Sequence, residues 1–322
     1  MTLSNGVQLH HELSTDGLPA LHAGFLYIKD LPKWKHEKPY YISGPLPEDQ
    51  EHLRGNIDCV PHETTLYDLR GREDEIKMEK HGFELVKKPS AIPLSLDNDS
   101  EDRTSEYLEE TAAWLEKRLG AEKVLAYAFR YRVTGDAMEW GPTEHDIGTR
   151  VKPDKSTSSP HVDQTFEGGL RRARRHMTSE EAEEYLNGNW RIRIVNVWRP
   201  LCLVEDSPLA YCDYDTVSEE DLIASDRVSE QYVGEVFYVR YNPKQKWYWF
   251  RHQHPDEMAV FLSYDSKPQG PRSSISNMEP IKSQPWKAFL ATSTQAANYE
   301  PQVMKGAIRL RVEADDKNGL GG

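Results

Sequence analysis

Apolar positions along the chain fall into one clear helical pattern and many short extended ones. Leu108, Ala112, Leu115 and Leu119 recur at spacings of four, three and four, and Gly120 follows where a C-terminal cap belongs. This predicts a helix from about Ser105 to Leu119. Directly after it, KVLAYAFRYRV (123–133) alternates Leu125, Tyr127 and Phe129 with Ala126, Ala128 and Arg130, the period of a strand with one buried face. HMTSEEAEEYLNGN carries a capping box, Thr178 to the amide of Glu181 and Glu181 back again, so a second helix starts there, with Gly188 expected to end it. Five strands are then predicted in RIRIVNVWRPL, EVFYVRY, KWYWFRH, MAVFLSYD and GAIRLRVEA, all rich in β-branched and aromatic residues.

Residues 1–100 alternate short apolar runs with Pro and Gly and read as strands and loops decorating a core in 101–315, with 316–322 a flexible tail. The acidic tract SLDNDSEDRTS (95–105) reads as a solvated connection. One domain is expected. No repeat appears, and no alternation of strand and helix around a Gly-rich phosphate loop, which excludes a doubly wound nucleotide-binding fold. Helices ahead of successive strands predict a mainly β protein with flanking helices, a barrel or sandwich with a concave interior suited to a small ligand.

Composition narrows the partners. With 37% apolar and 29% charged residues in 322, the chain is an ordinary globular one, and a net charge of −13 disfavours nucleic acid and anionic membranes. The RRARR run (171–175) most simply pairs with the nearby EEAEE or is solvated. Cys59, Cys202 and Cys212 are too few and scattered for a disulfide framework or structural zinc. The start TLSNGVQLHHELS has no basic and apolar leader pattern, and no apolar run reaches 18 residues, so a cytoplasmic protein is expected. A homodimer is the base-rate expectation.

Candidate chemistry centres on SSPHVDQTFEGG (158–169), where His161 and Asp163 precede a Gly168-Gly169 pair read as flexible. Alternate residues of a strand point the same way, so an H-x-D unit can offer two ligands of a two-histidine, one-carboxylate iron site. By itself the pattern equally describes a surface ion pair.

Together with NVWRPL (196–201), PLAYCD (208–213), WYWF (247–250), HPDEMAVFLSYDS (254–266) and RLRVEA, HVDQT resembles the fungal asaB-type hydroxylase/desaturase family, the gibberellin desaturase and CmcJ-like group, over about residues 120–315. The resemblance implies a double-stranded β-helix (jelly-roll, cupin-like) core of the 2-oxoglutarate oxygenase type. It also implies a third ligand in a P-H-[ST]-[AS]-F segment after Y-D-S, and a last-strand arginine holding the 2-oxoglutarate carboxylate. Here the segment reads YDSKPQGPRSSISNMEP, with Arg272 at the histidine position. A guanidinium has no lone pair for a metal. Arg311 matches the last-strand arginine, in an altered setting, KGAIRLR. His252, His254 and His176 are poorer substitutes.

Two functions are therefore expected in order. The first is a secondary-metabolite enzyme with no cofactor, catalysing dehydration and cyclisation or hetero-Diels-Alder cycloaddition of a polyketide or terpenoid. In it His161 is acid or base, Asp163 orients it, and Arg272 and Arg311 stabilise negative charge. Trp198, Arg199, Trp247, Trp249 and Tyr264 would line the substrate pocket. The alternative is an iron(II)/2-oxoglutarate-dependent hydroxylase or desaturase, with His161 and Asp163 binding the metal. A non-catalytic binding protein is a third, lesser reading.

Overall fold

In the computed structural model the described residues are 13–43, 45–95, 100–133, 154–155, 158–205, 207–267, 290–293 and 301–311. For residues 101, 130, 132–133, 154–155, 290–293 and 301–311 the description is of the backbone. In chain order the strands are β1 (Ala20–Ile28), β2 (Tyr40–Ile42), β3 (Cys59–Asp68), β4 (Phe83–Lys87), β5 (Lys123–Val133), β6 (Asp154–Lys155), β7 (His161–Val162) and β8 (Arg191–Pro200). They continue with β9 (Leu209–Cys212), β10 (Leu222–Val228), β11 (Val233–Val239), β12 (Trp247–Trp249), β13 (Glu257–Asp265), β14 (Leu290–Ser293) and β15 (Pro301–Arg311). Among the described residues four α-helices accompany them: α1 (Met78–His81), α2 (Glu101–Leu119), α3 (Phe166–Arg175) and α4 (Ser179–Tyr185).

The strands form two sheets, in the orders β1-β3-β12-β9-β14-β7-β11-β10-β2 and β4-β13-β8-β15-β5-β6. The expected mainly β architecture with helices outside is what the chain adopts. Between the sheets lies a core of aromatic and aliphatic side chains: Trp198 and Phe261 from the smaller sheet meet Tyr211, Tyr248 and Phe250 from the larger, with Phe83 stacked on Tyr211 at 4.9 Å. The larger sheet curls until β1 touches β11, and its other face encloses a second core built on Phe25, Tyr27, Leu66, Val162 and Trp247. Strands from the first hundred residues thus supply part of both cores.

Helix α2 covers the outer face of the smaller sheet, seating Leu115 on Val195, Val197, Met258, Val260 and Leu262. It begins before Ser105, because Ser100 in the middle of the acidic tract caps it through the amide of Arg103 (3.2 Å). It ends as the pattern predicts, on Gly120 in the left-handed conformation. With α2 and α1 outside and the intersheet core inside, all ten residues of β8 are buried. Its outward arginines are satisfied by carboxylates: Arg191 is bidentate on buried Asp265 (2.9 and 2.6 Å), and Arg193 pairs with Glu79 and with Asp265.

Two local expectations change. The capping box of α4 is present, but the helix ends at Leu186, two residues before Gly188. The RRARR run, with Arg171 and Arg174 exposed to solvent, is the last part of a helix that the charge pattern hid. Its Ala173 is buried, Arg171 faces Glu235 at 3.6 Å, and Arg172 and Arg175 lie over the Tyr232 ring. No helix among the described residues is long and apolar enough to cross a membrane.

Candidate active site

The HVDQT segment is threaded into the larger sheet at its middle. β7 pairs with β11, Val162 opposite Phe237 and His161 opposite Tyr238, and His161 also opposes Ala291 of β14. Val162 turns into the enclosed core of the larger sheet. The alternation of an extended chain therefore sends its neighbours His161 and Asp163 to the other face, toward the smaller sheet. There they meet: His161 Nε2 stands 3.3 Å from Asp163 Oδ1.

The remaining atoms of the pair are fixed. His161 Nδ1 lies 2.8 Å from the Ser159 carbonyl, which only accepts, so Nδ1 carries the proton and Nε2 keeps its lone pair when the ring is neutral. Asp163 Oδ2 accepts from Asn196 Nδ2 (2.5 Å) and from Ser263 Oγ (3.2 Å). Asn196 lies on the inner face of β8, between Ile194 and Trp198. Ser263 reaches the site through a β-bulge: Leu262 opposes Val195 and Tyr264 opposes Ile194, leaving Ser263 as the extra residue. Leu262 faces α2 while Ser263 and Tyr264 both turn inward, which strict alternation forbids and a bulge allows. The His161 and Asp163 side chains stay 17% and 35% exposed in front, whereas Asn196 and Ser263 behind them are 5% and 1% exposed.

The residues after Asp163 lock the segment down. Thr165 caps α3 by accepting from the amide of Gly168 (3.0 Å), and its hydroxyl donates to Glu235, which also binds Lys38. The Gly168-Gly169 pair is not a flexible joint. A Cβ on Gly168 would lie 2.7 Å from the Glu235 carbonyl oxygen, and one on Gly169 only 2.3 Å from the Tyr264 ring, so both glycines are there for close approach of α3 to the strands.

The other candidate residues are scattered. Trp198 and Tyr264 are fully buried on the inner face, Trp198 in the intersheet core and Tyr264 beneath α3, where burial and then neighbouring Asp265 raise the pKa of its phenol. Trp247 and Trp249 pack in the enclosed core with Val162, on the face of the sheet opposite His161 and Asp163. Arg199 is a staple, donating to Tyr107 Oη (3.0 Å), the Pro255 carbonyl (2.6 Å) and the Lys88 carbonyl (2.7 Å). Arg311 ends β15 opposite Arg191, described by its backbone, and Arg272 lies outside the described residues. Residues that sequence reasoning overlooked are Asn196 and Ser263, and Tyr238, which the register sets beside His161 on the same face. Burial raises the Tyr238 pKa, against the pull of Arg227, whose guanidinium donates to its oxygen at 2.8 Å.

His161 and Asp163 fit a divalent metal by their chemistry. Two donors at right angles, each about 2.1 Å from one ion, stand about 3.0 Å apart. The observed 3.3 Å matches, so with Nδ1 engaged by the Ser159 carbonyl, Nε2 and Oδ1 are spaced to share one cation. Among the described residues no third His, Cys, Asp or Glu joins the pair.

A family model described as an oxidoreductase/YMDC permease-like domain matches residues 25–285. The chain is 31% identical over 211 residues to alpha-ketoglutarate-dependent dioxygenase tstK of Talaromyces stipitatus, covering 63% of this chain and 72% of that protein. It is 28% identical over 216 residues to hydroxylase/desaturase efuI of Hormonema carpetanum, covering 63% and 71%. In fold it is similar to the iron and alpha-ketoglutarate-dependent endoperoxidase NvfI, with a TM-score of 0.71 at 20% identity, over 91% of this chain and 99% of that one. That likeness shows the jelly-roll fold of the 2-oxoglutarate oxygenases. The relatives also overturn the expectation of a cofactor-free dehydratase and cycloaddition enzyme. They are named for iron(II)/2-oxoglutarate chemistry, hydroxylation and desaturation, which is the alternative reading.

Proposed function

Because the chain belongs to the family of fungal hydroxylase/desaturase and iron(II)/2-oxoglutarate dioxygenase proteins, we propose that it is an iron(II)/2-oxoglutarate-dependent hydroxylase or desaturase of a small secondary metabolite. The observation that carries this reading is the His161–Asp163 pair, 3.3 Å apart, with the His161 tautomer set by the Ser159 carbonyl. His161 Nε2 and Asp163 Oδ1 would hold the iron. When bound, iron(II) with 2-oxoglutarate and dioxygen supplies an oxidant able to take hydrogen from an unactivated carbon.

The chain's own residues do the rest. Ser159 holds the imidazole by its far nitrogen, which orients the ring and, in its neutral form, leaves the lone pair on Nε2. Asn196 and Ser263 close the back of the site with buried polar contacts, and the bulge in β13 gives them a rigid seat. Tyr238, its phenol kept protonated by burial, lines the wall beside His161. Substrate and 2-oxoglutarate approach from the exposed front of the pair.

Protein reconstituted with iron(II) under argon is expected to turn over 2-oxoglutarate to succinate, once dioxygen is admitted, in a His161- and Asp163-dependent way, and EDTA is expected to stop it. Full activity in EDTA without 2-oxoglutarate would refute the reading. The family resemblance sets Arg272 at the third-ligand position, which an Arg272→His exchange tests. Tighter iron(II) binding supports that placement, and unchanged binding counts against it.

A further inference from the structure

We propose that Asn196 and Ser263 are positioning residues that commit Asp163 to bind metal through one oxygen, Oδ1, and thereby set the affinity of the site. This inference rests on the oxygenase reading and extends it to residues that never touch the metal.

The argument begins with the strand. RIRIVNVWRP is buried along its whole length, and its inner face otherwise carries Ile192, Ile194 and Trp198. An amide at the centre of such a face costs stability unless its hydrogen bonds are all made, so a hydrophobic residue would serve the core better. Ser263 poses the same question, being 1% exposed at the extra position of a bulge that interrupts the β13 ladder.

The two side chains answer each other. Asn196 Nδ2 has two hydrogens and two acceptors: Asp163 Oδ2 at 2.5 Å and Ser263 Oγ at 2.7 Å. With its lone pair engaged by Asn196, the Ser263 hydroxyl donates its own proton to Asp163 Oδ2 at 3.2 Å. The triangle is closed and has a single sense, because a carboxylate offers no donor; this also fixes which way round the Asn196 amide sits. Both donors converge on the same oxygen. Held there, the carboxylate presents Oδ1 toward His161 Nε2. Without the triangle the two donors that engage Oδ2 no longer enforce the choice of Oδ1, so the ligand geometry changes even though both ligands remain.

The test reads metal binding rather than turnover. Cobalt(II) is titrated into wild-type protein and into His161→Ala, Ser263→Ala, Asn196→Ala and the Asn196→Ala/Ser263→Ala double variant, following the visible ligand-field bands, with thermal melts alongside. Loss of an outer partner of a ligand typically weakens metal binding by about 10- to 100-fold. Asn196→Ala is expected in that range with altered band positions, Ser263→Ala at the low end, and the double variant no worse than about Asn196→Ala alone, since both act on one oxygen. Ser263→Ala keeps the question answerable if Asn196→Ala does not fold. Binding by the wild type with equal affinity and bands in both single variants overturns the positioning role and leaves the oxygenase reading standing. Equal binding by wild type and His161→Ala overturns the metal site itself.

Discussion

Substituting Gly169 by alanine tests whether α3 is seated where the structure puts it. The added Cβ would sit 2.3, 2.5 and 2.6 Å from three ring carbons of Tyr264. Carbon atoms pack at about 3.5 to 4.0 Å, so helix and ring must part by more than about 1 Å. Neither moves cheaply. Tyr264 is 1% exposed, flanked on its strand by Ser263 and by Asp265 with its two arginines, and α3 is tied to β11 through Thr165 and Glu235. Overpacking of this kind costs about 1 to 3 kcal/mol. The opposite term is helix propensity, which favours alanine over glycine by about 1 kcal/mol. With three contacts well below van der Waals distance the steric term takes the upper end, leaving a net loss of about 2 kcal/mol. Urea unfolding reads this as a lower midpoint at unchanged slope. Cobalt(II) affinity should fall with it, because a displaced Tyr264 carries Ser263 along. Combining Gly169→Ala with Tyr264→Leu should cost less than the sum of the single changes, since the clash is shared. A Gly169→Ala protein as stable as wild type or more so, the result of propensity alone, would refute the packing argument.

Three further predictions concern the frame around the site. Arg199→Ala should destabilise the fold by about 3 kcal/mol, because a buried guanidinium's charge-assisted hydrogen bonds to Tyr107 and to the Lys88 and Pro255 carbonyls are lost; a changed substrate KM with unchanged stability would instead assign Arg199 to the pocket. Asp265→Ala leaves Arg191 without its bidentate partner and Arg193 with one fewer contact, for an expected loss of about 3 to 5 kcal/mol by urea unfolding. Burial, assisted by Lys80, lowers the pKa of His81 from 6.5 to about 4. The unfolded chain therefore binds the proton first on acidification. His81 contributes no loss above about pH 6.5, and stability then falls by up to about 3 kcal/mol as pH drops toward 4. His81→Gln should remove that part of the pH slope, and an unchanged slope would show that His81 is not the group responsible.

The elements that could be read from the chain were those whose pattern is local. α2, β5 and the capping box of α4 follow from spacing, and the strand-rich second half from β-branched and aromatic runs. α3 escaped because its charge dominated the reading. Only Ala173 and its two glycines mark the face that it buries, and glycines at Gly168 and Gly169 look like a loop until the strands they touch are known. The tryptophans misled for a similar reason: composition says that they are buried, and period alone does not say in which of two cores. Trp247 and Trp249 went to the far face of the sheet from the site.

By itself, then, the sequence determined the class of fold, its principal elements and the H-x-D pair, since each depends on residues within a few positions of one another. Arg272 weighed heavily toward a cofactor-free enzyme because a single unusual residue at a motif position was the strongest chemical signal in the string, and the relatives' iron(II)/2-oxoglutarate chemistry corrected that. Only the tertiary structure decided which atoms of the pair face each other, and which residues hold them there. Asn196 is 33 positions from Asp163 and Ser263 is 100. A carboxylate's orientation is set by donors arriving from other strands and by a bulge that no alternation of apolar and polar residues announces.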